Sequence, residues 1–297
     1  MTPENGRNRP GSLLMFISAM LIFGTIGVFR RSIPLPSAFL ACARGILGGL
    51  FVLAYALIRK KPAVTALPRR DVIRLAATGA VIGVNWILLF EAYNYTTVAV
   101  ATLCYYMQPV IVLLVSPLVF RERLTPGKMI CAGLAVIGMV LISGVTGGED
   151  LPETNLRGIL LGLGAAACYS VVVIMNKKTV GIDTYPKTVI QLLAAGLAMV
   201  PYILLTGGEI GTFTPKTAGL LLVIGLVHTG LAYVLYFGSI GGLKVQSIAL
   251  LSYIDPVSAL LFSAWLLGEK LSLAGIAGAL LIIGSAAVSE RLNNKNS

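Results

Sequence analysis

At 297 residues, 57% hydrophobic and only 12% charged, the chain is too apolar for a water-soluble fold, in which roughly a quarter of residues carry charge. Apolar runs of about 18 residues or more recur along it, each long enough to cross a hydrocarbon layer of roughly 30 Å. None alternates like a barrel strand, so the chain reads as an all-α integral membrane protein, and its net charge of +11 sits at the ends of the runs, which argues against nucleic acid as a partner.

In chain order, residues 1–11 are polar and carry Arg7 and Arg9. Ten apolar spans follow: 12–30, 36–58, 72–93, 97–119, 127–144, 157–177, 185–206, 218–240, 246–267 and 272–289. Ser12 to Phe29 has the make-up of a signal peptide's apolar region. Gly11 and Leu14, however, match Gly158 and Leu161 at a distance of 147 residues, so this stretch has a mid-chain counterpart and reads as the first transmembrane helix. The turns at Asn94–Thr96 and around Glu269 are tight. The most polar linker, 145–156, divides the chain into two five-helix repeats, 12–144 and 157–290, with tails at 1–11 and 291–297.

Basic residues set the orientation. With the N-terminus inside, 17 of the 23 Lys and Arg fall on inner segments and 5 on outer ones, leaving Arg44 within the second span. That asymmetry predicts a multi-pass protein of the cell (plasma or inner) membrane with both termini cytoplasmic. An odd number of helices per repeat then makes the two repeats inverted, an architecture suited to alternating access. Cys42, Cys104, Cys131 and Cys168 lie in apolar segments without metal-ligand spacing and read as small buried hydrophobes, so neither metal nor cofactor is expected.

The repeat is clearest in Tyr105–Gly144, YYMQPVIVLLVSPLVFRERLTPGKMICAGLAVIGMVLISG, against Ser252–Glu290. At the offset of 147, Tyr106 matches Tyr253, Pro109 matches Pro256, Ser116 matches Ser263, Glu122 matches Glu269 and Leu124 matches Leu271. Eight of the 21 positions in 105–125 are identical to 252–272, and a period of half the chain means a duplicated domain. The motifs PVIVLLVSPLVFRERLT and PVSALLFSAWLLGEKLS, in a chain of this organisation, resemble the EamA-type transporters of the drug/metabolite transporter superfamily. The resemblance covers nearly the whole chain. It implies a ten-helix fold, export or exchange of small metabolites, amino acids or drug-like compounds, and a central cavity within spans 1, 3, 4, 6, 8 and 9. The chain departs from the family's small-Glu-basic turn at Arg121-Glu122-Arg123, where Arg comes first.

Pro109 and Pro256 lie about a dozen residues into their spans, where each removes a helical hydrogen bond and frees the carbonyls of Tyr105 and Ser252. Matched helix breaks in two repeats point to a midplane binding site; a packing kink is the structural alternative. Asp255 lies near mid-depth, where a lone carboxylate costs about 3 kcal/mol or more unless paired or protonated. It is the candidate for binding a substrate cation or a coupling proton, its repeat mate being the neutral Gln108. Arg44, whose mate is Gln191, pairs on this reading with Asp255 or a substrate carboxylate, or else serves structure by reaching helix-end carbonyls or the outer face. His228, the single histidine, offers a proton or hydrogen-bond site or an interhelical bond, and no metal constellation. Gln108, Asn85, Trp86, Tyr105, Tyr106, Tyr169, Tyr233 and Tyr253 complete the candidate substrate-binding set, the aromatic members because rings with polar tips suit moderately apolar metabolites.

Glu122 and Glu269 read as structural, capping the following helix or pairing with Arg123 or Lys270, and Glu91 as an entrance or surface charge. The pairs Gly45/Gly49, Gly79/Gly83 and Gly158/Gly162 permit close helix contact. Nothing resembles a nucleotide-binding loop, so the reading is a secondary transporter, coupled to a gradient such as protons or uncoupled, and not an enzyme. Its partners are a small-molecule substrate and membrane lipid, and a homodimer is left open. The competing readings are a lipid scramblase or flippase and a non-transporting membrane receptor.

Overall fold

The computed structural model describes residues 9–96, 98–143, 155–179, 181–207, 211, 213–268 and 272–295. Its helices are α1 Pro10–Arg31, α2 Ser37–Ile58, α3 Arg69–Tyr95, α4 Val98–Tyr105, α5 Gln108–Phe120, α6 Pro126–Ser143, α7 Asn155–Lys178 and α8 Thr184–Leu205. They continue with α9 Pro215–Val223, a π-helical stretch Ile224–Leu231, α10 Ala232–Ile240, α11 Val245–Leu251, α12 Ile254–Leu267 and α13 Leu273–Lys295. Among the described residues there is no strand. Seven stretches are long and apolar enough to cross a membrane, two of them running through the α4–α5 and α11–α12 breaks, and the apolar parts of α1, α6 and α13 are shorter. This is a multi-pass membrane protein. Its outward faces are apolar, with Leu118, Leu205 and Trp265 each more than three-quarters exposed.

Local sequence accounts for the ends. Proline stands at the first position or the N-cap of α1, α2, α3, α6 and α9, where its missing N–H costs nothing. Asp183 and Thr214 cap α8 and α9 through their side-chain oxygens, accepting from the N–H groups of Tyr185 at 2.9 Å and Thr217 at 3.1 Å. Helices α5 and α12 both end in a left-handed residue, Arg121 at φ 57° and Gly268 at φ 67°. These positions are repeat mates, so the turn explains the sequence departure. Glycine adopts that backbone freely, while Arg121 bears roughly 1 kcal/mol of strain.

The helices occupy the predicted spans to within a few residues, apart from the C-terminal one, in which α13 runs on to Lys295. The two breaks fall beside Pro109 and Pro256, and the π-helical stretch is the feature that the span-by-span reading did not anticipate. The linker 145–156 and Glu269 lie almost wholly or wholly outside the described residues.

Helix α3 packs on α7 and α8, α2 on α8 and the π-helical stretch, α1 on α10 and α12, α4 on α7, α5 on α11, and α6 on α13. Glycine sets how closely some of these pairs approach. A Cβ added at Gly79 would stand 2.4 Å from the Gln191 carbonyl and 2.7 Å from Ala194 Cβ. Gly45 likewise faces the backbone of Gly196, and Gly158 faces Thr96. Because the obstacle at Gly79 is backbone, Gly79→Ala forces α3 and α8 apart, and about 1–3 kcal/mol of stability is lost by overpacking. A lowered midpoint in thermal unfolding of the detergent-solubilised protein checks this.

Two ends of the bundle can be distinguished. At one, Arg9 N–H donates to Gly242 O, the Lys177 ammonium caps the end of α10 at Ile240 O (3.1 Å), and Tyr55 stacks on Tyr185. This basic end gathers the starts of α1, α8 and α11 with the ends of α2, α7 and α10. At the far end the α1–α2 connection meets Gly211, and Glu91 accepts from the hydroxyl of Tyr202.

Candidate functional site

A cavity of about 450 Å³ lies among α1, α2, α3, α4, α7, α10 and α12. Its walls are Phe23 and Ile26 of α1, Ser37, Leu40, Ala41 and Arg44 of α2 and Trp86 to Tyr93 of α3, each set in the half of its helix nearer the far end, with Thr102 of α4. Its floor, at mid-depth, is Tyr105, Tyr106, Tyr169, Tyr233 and Asp255. Below it the packing is solid: Phe16, Tyr236, Phe237 and Tyr253 are each at most 2% exposed. The volume falls within the range of small-molecule sites, roughly 300–1,000 Å³.

The floor exists because two spans are broken. Pro109 and Pro256 stand in the first turns of α5 and α12, and each span bends between the residues before its proline, at 106–107 and 252–253. The freed carbonyl of Ser252 accepts from the N–H of Asp255 at 3.2 Å, a tighter turn than the α-helix makes. Two repeat-related tyrosines tie the breaks together. Tyr253 donates its hydroxyl to the carbonyl of Tyr106 at 3.0 Å, and Tyr106 donates its own to Oδ2 of Asp255 at 3.1 Å. The carboxylate of Asp255 is thereby held at the cavity floor with one oxygen committed.

The cavity's other charge is on α2. The guanidinium of Arg44 lies 4.6 Å from the centre of the Trp86 ring, a cation–π contact. Its Nε is buried without an acceptor among the described residues. Arg44 thus does not pair with Asp255, and two opposite charges face one cavity. Eight of the eighteen lining residues are aromatic. A cation with an unsatisfied donor, an anion and an apolar aromatic surround together suit a small zwitterion with an apolar body.

The structure brings together Arg44, Trp86, Tyr105, Tyr106, Tyr169, Tyr233 and Asp255 from the residues singled out in the sequence. Asn85, Gln108, His228 and Tyr253 do not line the cavity. Asn85 donates to the Ala165 carbonyl at 2.6 Å, which fastens α3 to α7. Gln108 is buried beneath the floor. His228, in the π-helical stretch, sets Nε2 2.8 Å from the Thr25 hydroxyl and its ring 4.8 Å from Phe29, bonding α1 at the interface. Sequence reasoning missed the α2 wall around Leu40 and Ala41, and on α3 it missed Leu89, Phe90 and Tyr93. The last two repeat the face of Trp86 at helical spacing, a signal present in the sequence.

Glu122 does not cap the helix that follows it. It crosses to the other half, accepting from the N–H groups of Val245 at 2.9 Å and Gln246 at 3.3 Å at the start of α11. The side chain of Gln246 in turn accepts from the Lys128 ammonium and donates to Ser116 Oγ at 3.1 Å. This cluster ties the α5–α6 connection to the start of α11 at the basic end.

An all-helical bundle of apolar spans around a charged mid-depth cavity, lined on one side of mid-depth and packed solid on the other, is the build of a membrane transporter. Residues 10–144 and 156–290 each match the EamA-like transporter family, and the chain belongs to it. It is 26% identical over 288 residues to the uncharacterized transporter YxxF of Bacillus subtilis, covering 96% of this chain and 91% of that one. It is 31% identical over 178 residues to a probable amino-acid metabolite efflux pump of Salmonella typhimurium, covering 56% of this chain and 58% of the pump. A solved crystal structure shares the fold, with a TM-score of 0.83 at 22% identity over 95% of this chain and 98% of its own.

Proposed function

We propose that the protein is a secondary exporter or exchanger of amino acids and related zwitterions with apolar side chains, residing in the plasma membrane with both termini cytoplasmic. Arg44 takes the carboxylate, Asp255 the ammonium, and the aromatic walls take the side chain. The observation that carries this is the pairing of an unsatisfied Arg44 Nε with a singly hydrogen-bonded Asp255 in one cavity. The name of the Salmonella relative agrees with it.

Transport proceeds by exchange of two inverted five-helix repeats. The packing pattern supports this, because adding the repeat offset to one half returns it. The α3–α7 contact becomes α10–α1, the α3–α8 contact becomes that of the π-helical stretch with α2, the α5–α7 contact becomes α12–α1, and α2–α8 and α6–α13 return to themselves. Protonation of Asp255 offers a route for coupling flux to a proton gradient, since a neutral acid releases the ammonium.

Counterflow in liposomes tests the reading. Purified protein is expected to accumulate labelled phenylalanine or leucine against an internal pool of the same amino acid, above protein-free vesicles. Equilibration of labelled lipid without movement of any amino acid would make the protein a scramblase instead.

A further inference from the structure

The cavity lies on one side of mid-depth only, yet the same chain carries the elements of a second. The α2 wall is Leu40, Ala41 and Arg44, and their mates 147 residues on are Lys187, Thr188 and Gln191 of α8. These three are 4%, 0% and 0% exposed. The α3 wall residues Trp86 and Phe90 map to Tyr233 and Phe237, and the floor residue Tyr106 to Tyr253, all buried as well.

The polar groups on this buried surface are poorly satisfied. The Lys187 ammonium has no hydrogen-bond acceptor or carboxylate among the described residues. Gln191 gives one N–H to Asn176 Oδ1 at 3.2 Å, but its carbonyl oxygen is buried without a donor. The side-chain amide nitrogen of Gln108, the mate of Asp255, is also unpartnered. An ammonium that keeps only a trace of exposure and has no ion pair is costly in a packed interior and more so within a lipid-embedded bundle. Packing alone does not call for it, since the mate position holds Leu40. The cost falls once water or an anion reaches the group.

We propose that the sealed basic end conceals a second pocket, lined by Lys187, Thr188 and Gln191, in which Lys187 receives a carboxylate when the bundle opens there. This rests on the inverted-repeat reading and adds to it the residue that first meets the substrate. Lys187 is the fourth residue of α8, about one turn from its start at the basic end, so a carboxylate would meet it before reaching Arg44 deeper in. The pocket is selective for anionic groups, whereas the cavity observed at the far end presents both charges.

Cysteine accessibility tests this. In a background with the four native cysteines replaced by alanine, Thr188→Cys and, separately, Ser170→Cys (the mate of the wall residue Phe23) are placed in vesicles with the basic end facing out. The membrane-impermeant probes are sulfonatoethyl methanethiosulfonate, an anion, and its trimethylammonioethyl analogue, a cation. Both cysteines are expected to react, the anion about 10-fold faster than the cation because of the focused positive field. Lys187→Met is expected to abolish that preference, while Lys187→Arg preserves it and shows that the surface still folds. Absence of reaction at both cysteines, in vesicles that carry out amino-acid counterflow, would overturn the pocket and leave the transporter reading standing. Equal rates for the two probes, unchanged by Lys187→Met, would overturn the role of Lys187. Reaction with the expected preference in vesicles that show no counterflow would uphold the pocket and remove the transport function instead.

Discussion

Asp255→Asn is expected to lower the initial rate of amino-acid counterflow about 100-fold, with yield and thermal stability close to those of the parent protein. Asparagine keeps the shape of the side chain and its carbonyl oxygen can still accept from Tyr106, now 3.1 Å from Oδ2, so the tie between the two helix breaks survives. What disappears is the negative charge that faces the substrate ammonium. A hydrogen bond to a charged group contributes about 1.5–3 kcal/mol, and the upper part of that range applies where water is excluded, which at about 1.4 kcal/mol per decade gives the stated loss. Flux of the variant is also expected to be flat with pH, since the group whose charge the proton would cancel is gone. Normal flux with a lowered unfolding temperature would make Asp255 a structural residue.

Much of this arrangement is legible in the sequence, for reasons particular to membrane proteins. Lipid requires long apolar helices, so the spans are visible as runs. A mid-span charge is expensive, so Arg44 and Asp255 stand out without a structure. The repeated prolines locate the two breaks. What cannot be read is which faces meet. Asn85 and His228 have the same polarity in the sequence as the cavity residues, but Asn85 bonds the Ala165 carbonyl and His228 the Thr25 hydroxyl across helix interfaces. The contribution of α2 escaped because its wall residues, Leu40 and Ala41, are ordinary apolar residues. Glu122 escaped because its partners are backbone N–H groups 123 and 124 residues away. Local spacing suggests the helix just beyond it, whereas the packing of α5 on α11 supplies a different helix start.

That misplaced partner supplies the second large effect. Glu122→Ala is expected to raise the reactivity of Ser170→Cys toward the anionic methanethiosulfonate at the basic end by about 10- to 100-fold. The carboxylate satisfies two N–H groups at the start of α11 and holds the α5–α6 connection of one half against the other. The neighbouring bonds from Gln246 to Ser116 and from Lys128 to Gln246 depend on that register. Removing a charged acceptor withdraws about 1.5–3 kcal/mol from the closed arrangement. Nothing need be lost from the open one, in which those N–H groups meet water, so the loss becomes a population shift toward the open state. Glu122→Gln, which retains one carbonyl acceptor but no charge, is expected to fall between the parent and the alanine variant. Should Glu122→Ala unfold at a lower temperature while Ser170→Cys reacts no faster, the carboxylate serves assembly of the two halves and the seal at the basic end rests on the apolar packing of Phe16, Tyr236 and Phe237.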